Sequence, residues 1–187
     1  MIYINDQIEY FDLSTAMDKL SSQRKEEVLR FKHVLGQKLC ASAYLLLMEG
    51  LRLEYGITEA PHLSKDTGGK PFLTDYPHIH FNFSHCREAV VCALSSFPVG
   101  IDIETIRSYN ESLVNYTMND KERIMITQSP RPDVEFIRLW TMKEAKLKWT
   151  GHGISNNMKN ILEGDEVFFT TINTEKKYIM TMITGEI

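Results

Sequence analysis

Apolar and polar residues change period along this chain, and the changes mark its elements. Val99, Ile101 and Ile103 alternate with Gly100, Asp102 and Glu104, the period of a half-buried β-strand. Ile79, Phe81 and Phe83 alternate with His80 and Asn82 in a second strand, and the apolar run Ala89 to Ser95 suits a third. Met1 to Ile4 reads as a short opening strand, and Glu166–Ile172 with Lys177–Thr184 reads as a hairpin around Asn173-Thr174-Glu175-Lys176. The period lengthens over Leu35 to Tyr55, where Leu39, Ala43, Leu46, Leu47 and Leu51 form a helical core stripe with Gly56 as its αL cap. A second helix is predicted over Val134 to Trp149, ended by Gly151-His152-Gly153, with Trp140, Glu144 and Lys148 on one face at i, i+4 and i+8. Shorter helices are predicted at Thr15–Leu20 and Gln23–Phe31, with Ser14, Ser21 and Ser22 as candidate N-caps. Asn119 can cap a further helix with Glu122 at N3, and Asp133 can cap the helix after the linker Gln128–Asp133. Ile57 to His80 concentrates turn-formers.

Strands and helices occur on both sides of Phe97-Pro98, which divides the chain into an N-terminal half, 1–97, and a C-terminal half, 98–187. With 187 residues, 43% of them hydrophobic, the chain is long enough to bury a core without staples. Its net charge of -4 lacks the basic excess of a nucleic-acid binder, so no nucleic-acid partner is expected. The N-terminus has no basic, apolar leader, and the longest apolar run, Ala43 to Met48, is too short to cross a bilayer. Cys40, Cys86 and Cys92 have no metal-site spacing and read as small hydrophobes of a reducing compartment. A cytoplasmic protein without a membrane partner is expected.

Chemistry enters at Asp102 and Glu104. Side chains at i and i+2 of a strand sit roughly 7 Å apart, and two bare carboxylates there repel by about 2 kcal/mol at an effective dielectric of about 20. A solvated acidic face tolerates that repulsion; a hard divalent cation reverses its sign. Glu144 and Lys148, about forty residues on, form either an ordinary surface pair worth about 0.3–0.5 kcal/mol or, beside a metal, a ligand or proton acceptor and a phosphate-holding ammonium. Gly68-Gly69-Lys70-Pro71 lets backbone approach a phosphate, yet it is no P-loop and equally suits a surface turn. Ser84-His85-Cys86-Arg87-Glu88 is placed in the connection between two strands, as a phosphate clasp or a structural turn. A Ser-His nucleophilic pair is disfavoured there, since adjacent residues rarely present nucleophile and base to each other. Lys19, Arg24, Lys25, Arg30, Lys32 and Lys38 mark either an anion site or a solvated helix face. A metal-dependent nuclease would gather similar acids and lysines, but the net charge counts against it.

Gly100-Ile101-Asp102-Ile103-Glu104, followed by Trp140-x-x-Lys143-Glu144-Ala145-x-x-Lys148, resembles the paired signature of the Sfp-type 4′-phosphopantetheinyl transferases. Gly69-Lys70-Pro71 and Asn82-x-Ser84-His85 stand upstream in the family's order, so the resemblance spans roughly residues 68 to 153. It implies an α+β fold of two similar α/β halves related by a pseudo-twofold, with the active site in the cleft between them. It also implies transfer of the phosphopantetheine arm from coenzyme A to a serine of an apo acyl or peptidyl carrier protein, with release of adenosine 3′,5′-bisphosphate. Carried over, Asp102, Glu104 and Glu144 would bind Mg²⁺, with Glu122 where some members place another acidic residue. Lys70, Ser84 and His85 would contact coenzyme A phosphates, Lys148 would hold the pyrophosphate, and Lys32 and Lys38 approximate the family's N-terminal basic residues. Glu144 would accept the serine proton. A non-catalytic homologue that only binds carrier protein or coenzyme A is the alternative, and a monomer is expected because one chain holds both halves.

Overall fold

A computed structural model describes residues 1–151 and 158–186. Its helices and strands come in separate runs, an α+β arrangement. The strand β1 (Ile2–Asn5) is followed by a 3₁₀ turn at Ile8–Tyr10 and the helices α1 (Leu13–Asp18), α2 (Ser22–Leu29) and α3 (Val34–Tyr55). Four strands come next: β2 (Leu63–Lys65), β3 (Pro71–Leu73), β4 (His80–His85) and β5 (Val90–Ser95). Then follow β6 (Val99–Thr105), α4 (Glu111–Thr117), α5 (Asp120–Gln128), α6 (Pro132–Thr150), β7 (Phe169–Asn173) and β8 (Tyr178–Thr184). Two antiparallel three-stranded sheets result, ordered β1-β5-β4 and β6-β8-β7, with β2 and β3 as a separate hairpin.

The two sheets share no strand, and their packing follows from which residues each strand turns to which side. On β5, Cys92 and Leu94 meet Leu47 and Leu51 of α3, while Val91 and Ala93 meet Val99, Ile101 and Ile103 of β6. Both faces of β5 are therefore covered, which explains its unbroken apolar run. Tyr178 and Met180 of β8 join β6 against the first sheet, whereas Ile183 packs with Ala145 and Trp149 of α6. The layers run α3, first sheet, second sheet, α6. Each fully buried Ile or Leu in them contributes about 1.5–3 kcal/mol relative to exposure.

Gly100 decides how closely α6 lies on β6. A Cβ there would stand 2.0 Å from the Ala145 carbonyl oxygen and 2.5 Å from the Trp149 nitrogen, both rigid backbone. Only a residue without a side chain admits the helix at that distance. No residue of α6 is fully exposed. The helix that the sequence left with a surface alternative is thus an interior one.

The local signals held in most places. Gly56 closes α3 with φ +67°, and Ser21 caps α2. Asn119 and Glu122 form a reciprocal capping box at the start of α5. At α1 the cap is Asp12, not Ser14: its carboxylate accepts from the Ser14 and Thr15 amides, two residues earlier than predicted. Helix α6 begins with Pro132 in its first turn rather than with a side-chain cap from Asp133. Ser84 and His85 belong to β4 instead of the following connection, because their backbone pairs with Val91 and Val90. Gly151 follows α6 with φ +75°, as predicted; His152 and Gly153 lie outside the described residues.

A buried charge pair ties α5 to α6. Lys143 is wholly buried, its Nζ 2.8 Å from Glu122 Oε1 and donating to the Met158 carbonyl at 2.7 Å. Glu122 Oε2 accepts the Asn119 amide at 2.8 Å. Burial pulls the Lys143 pKa down, and the Glu122 carboxylate opposes that pull.

Two stability measurements test these contacts by chemical denaturation. Gly100→Ala should lower the unfolding free energy by at least ~2 kcal/mol, since the obstruction is backbone. Lys143→Met or Glu122→Leu alone should each cost about 3–5 kcal/mol by stranding a buried charge, while the double substitution should recover most of that loss. Additive losses in the double variant would refute the coupling.

Candidate active site

Because α6 covers the Gly100-Asp102-Glu104 face of β6, the two strand carboxylates point at a helix. Their partners come from the predicted helical face. Lys148 Nζ lies 2.7 Å from Asp102 Oδ1, and Trp140 Nε1 donates to Glu104 Oε1 at 3.3 Å. Glu144 stands between Trp140 and Lys148 on the same stripe of α6. The first sheet adds Ser84, whose hydroxyl donates to Asp102 Oδ1 at 2.8 Å and accepts from Lys148 Nζ at 2.9 Å. Three elements from both sides of Phe97-Pro98 thus meet at one carboxylate oxygen.

The electrostatics of this junction are unbalanced. Lys148 pairs directly with Asp102, while Arg107 and Lys148 both act on Glu104 and Lys148 acts on Glu144. Desolvation first, then the Asp102 charge, raises the pKa of both Glu104 and Glu144. Lys148 acts in the opposite direction on each. Asp102 Oδ2 and Glu144 Oε1 are buried and have no hydrogen-bond partner. Buried carboxylate oxygens are costly to leave bare.

These two oxygens fit a hard cation. Mg²⁺ is commonly bound by one or two carboxylates, with waters and substrate phosphates completing its shell, rather than by a full protein cage. Among the described residues no three His, Cys, Asp or Glu side chains are gathered as a group that could hold a metal, the predicted trio Asp102, Glu104 and Glu144 included. Asp102 and Glu144 offer the bare oxygens, and Glu104 adds negative charge beside them.

The other predicted residues are placed as follows. His85 sits exposed at the end of β4, next to Ser84, its pKa lowered by desolvation and then by the Lys148 charge. Lys70 spends two N–H groups on the carbonyls of Val99 at 3.1 Å and Trp149 at 3.2 Å. Glu122 is not brought to the cluster, because its oxygens are engaged by Lys143 and Asn119. Lys32 is exposed before α3, and Lys38 donates to the carbonyls of Ile8 and Glu9. Lys38 borders a cleft of about 680 Å³, which holds none of the clustered carboxylates. A cavity of about 340 Å³ is the one bordered by Gly69, Lys70, Asn82, Glu144 and Lys148.

Sequence reasoning assigned no task to Asn82 of the Asn82-x-Ser84-His85 motif. Its Oδ1 accepts the buried Ile101 amide at 2.9 Å. Since β6 is the outer strand of its sheet, that amide has no strand partner on its free side. A polar residue within an alternating strand, two positions before a site serine, was the available signal.

Comparison with known proteins matches residues 98–181 to the 4′-phosphopantetheinyl transferase superfamily. A 4′-phosphopantetheinyl transferase of Bacillus subtilis is 28% identical over 158 residues, 82% of this chain and 70% of the relative. The psf-1 enzyme of Bacillus pumilus is 28% identical over 144 residues, covering 75% and 62%, and gsp of Aneurinibacillus migulanus is 40% identical over 92 residues, covering 48% and 38%. Residues 98–181, which carry Asp102, Glu104, Glu144 and Lys148 of this junction, are thus similar to the 4′-phosphopantetheinyl transferase superfamily, and the relatives are named as transferases of that kind.

Proposed function

We infer that this chain transfers the 4′-phosphopantetheine arm from coenzyme A to a serine of an apo acyl or peptidyl carrier protein, releasing adenosine 3′,5′-bisphosphate. The observation that carries the reading is the Asp102 junction. Glu144, with one bare oxygen, and Lys148 line a cavity bordered by both halves of the chain, and Lys148 joins them to Asp102 with the other bare oxygen. We read the chain as two halves, 1–97 and 98–187, related by a pseudo-twofold, with the active site in the cleft between them. Each half contributes a three-stranded antiparallel sheet and a long helix, which supports that relation.

The reaction requires a serine oxygen to attack a pyrophosphate phosphorus while the bond to the leaving bisphosphate breaks. Negative charge then spreads over the phosphoryl oxygens and the leaving group. Bound Mg²⁺ would supply charge neutralisation there, held by Asp102 and Glu144 with Glu104 adjacent. Lys148 holds the pyrophosphate. Ser84 keeps Asp102 and Lys148 in register, and its hydroxyl and His85 border the phosphate path. Glu144, with its pKa raised by burial, accepts the serine proton directly or through water. The nucleophile belongs to the carrier, so the chain needs no activated serine of its own. No helix among the described residues is long and apolar enough to cross a membrane; we read the enzyme as a cytoplasmic monomer.

Incubation with coenzyme A, Mg²⁺ and a panel of apo carrier proteins should add the mass of the arm to at least one carrier. Chelation should abolish the transfer and Mg²⁺ should restore it. Asp102→Asn and Glu144→Gln should each lower turnover roughly 10²- to 10³-fold with near-native circular dichroism. Wild-type transfer by both variants would overturn the assignment of these carboxylates. Binding of carrier or coenzyme A with no transfer under any condition would leave a non-catalytic homologue, and phosphodiester cleavage without transfer would leave a nuclease.

A further inference from the structure

The outer edge of β6 is closed by side chains instead of by a neighbouring strand. In an antiparallel strand the N–H and C=O of one residue point to the same side, and successive residues alternate. Val99 and Ile101 therefore share an edge, and the Ile101 amide there is taken by Asn82. The Val99 carbonyl on that edge is taken by Lys70, from the turn between β2 and β3.

The same ammonium reaches the end of α6. The last carbonyls of a helix lack intrahelical partners, and a cation there also complements the helix dipole. Lys70 Nζ donates to the Trp149 carbonyl in that last turn. The turn that carries Lys70 is itself closed. Asp66 Oδ1 accepts the Lys70 amide at 2.8 Å, and the Asp66 amide donates to the Lys70 carbonyl at 3.0 Å. It also touches the helix end through backbone: a Cβ on Gly68 would fall 2.5 Å from the Gly151 carbonyl oxygen. Two separate contacts thus press one turn of the first half onto the C-terminal end of the helix in the second. Lys148 immediately precedes the residue that Lys70 holds, and Asp102 lies three positions after Val99 on the strand.

We propose that Lys70 is a positioning residue, a latch from the Asp66–Lys70 turn to the Val99 and Trp149 carbonyls that fixes Lys148 against Asp102. The consequence for turnover rests on the transfer reaction inferred above; the latch itself does not. The resemblance assigned Lys70 to a phosphate of coenzyme A, which would make it a ligand. An ammonium has three donors, and here two of them are already committed to carbonyls. Small displacements of a positioned group are expensive in rate, so loosening the latch acts on turnover more than on affinity.

The experiment compares the full chain with Lys70→Met, which keeps the stem and removes the donors. Amide hydrogen exchange is measured without any ligand. The latch requires faster exchange in residues 99–103 and in the last turn of α6, with the distant α1 and α2 unchanged. In the transfer assay kcat should fall about tenfold while KM for coenzyme A changes less than threefold. Asp66→Ala, which opens the turn but keeps the ammonium, should raise exchange in the same two segments to a smaller degree, and serves if Lys70→Met does not fold. Unchanged exchange in both segments overturns the latch. So does a KM increase for coenzyme A at unchanged kcat, which is the mark of a phosphate ligand. If the unsubstituted protein transfers nothing to any carrier, the functional reading falls, and the exchange data alone decide the latch.

Discussion

The approach of α6 to β6 at Gly100 is the constraint on which the rest depends. With the helix backbone against that glycine, the polar face of the strand cannot look at solvent. Asp102 and Glu104 must then find partners on the helix or stay unpaired at low dielectric, where their mutual repulsion grows. The helix meets that demand with one lysine and one indole, and adds a third carboxylate, Glu144, between them. A side chain at position 100 would push the helix outward and let water into the gap. The carboxylates would then become ordinary surface acids. A glycine in a strand, usually a weak point, is here what turns an acidic strand face into a site.

Charge is distributed around this site by role. The Glu122–Lys143 pair neutralises itself, caps α5 and holds the Met158 carbonyl, so it has nothing left to offer a ligand. The Asp102 cluster is the opposite case: it carries more carboxylates than ammonium groups and leaves oxygens bare. Lys143 and Glu144 are neighbours in sequence yet face different sides of α6, one into a closed structural pair and one into an open junction. That contrast explains why an acidic residue at 122, read from its chain position, could be assigned to the metal while its burial and partners assign it to packing. Excess charge, not the mere presence of acids, separates the site from the core.

Much of this was legible in the sequence. The period of two at Val99–Glu104 and the i, i+4, i+8 face of α6 both appear as predicted, as do the cap at Gly56 and the box at Asn119–Glu122. What periodicity cannot supply is the partner of the polar face. It leaves Asp102 and Glu104 opposite a core and does not say that a helix covers them. Ser84 and His85 were misplaced by a boundary, because a polar pair at a strand end looks like the start of a turn while its backbone is still paired to β5. Asn82 went unread, and the two carbonyl contacts of Lys70 were not foreseen, for a related reason. Their acceptors and donors are backbone groups of a strand edge and a helix end, which have no signature in side-chain pattern.

The outer edge of β6 shows why the first half of the chain is needed by a site whose carboxylates all lie in the second. An unpaired strand edge presents donors and acceptors that invite another strand. Here Asn82 and Lys70 satisfy that edge with single side chains, and Ser84 continues the line to Asp102. A continuous backbone ladder would have closed the edge as well, but it would also have removed the space beside it. Side-chain closure leaves the cavity that Asn82, Lys70, Glu144 and Lys148 border. The two sheets are therefore fastened along a line that stays open, and two of the fastening residues, Asn82 and Lys70, line the opening. A fold joined in this way cannot loosen its seam without disturbing the geometry of its chemistry.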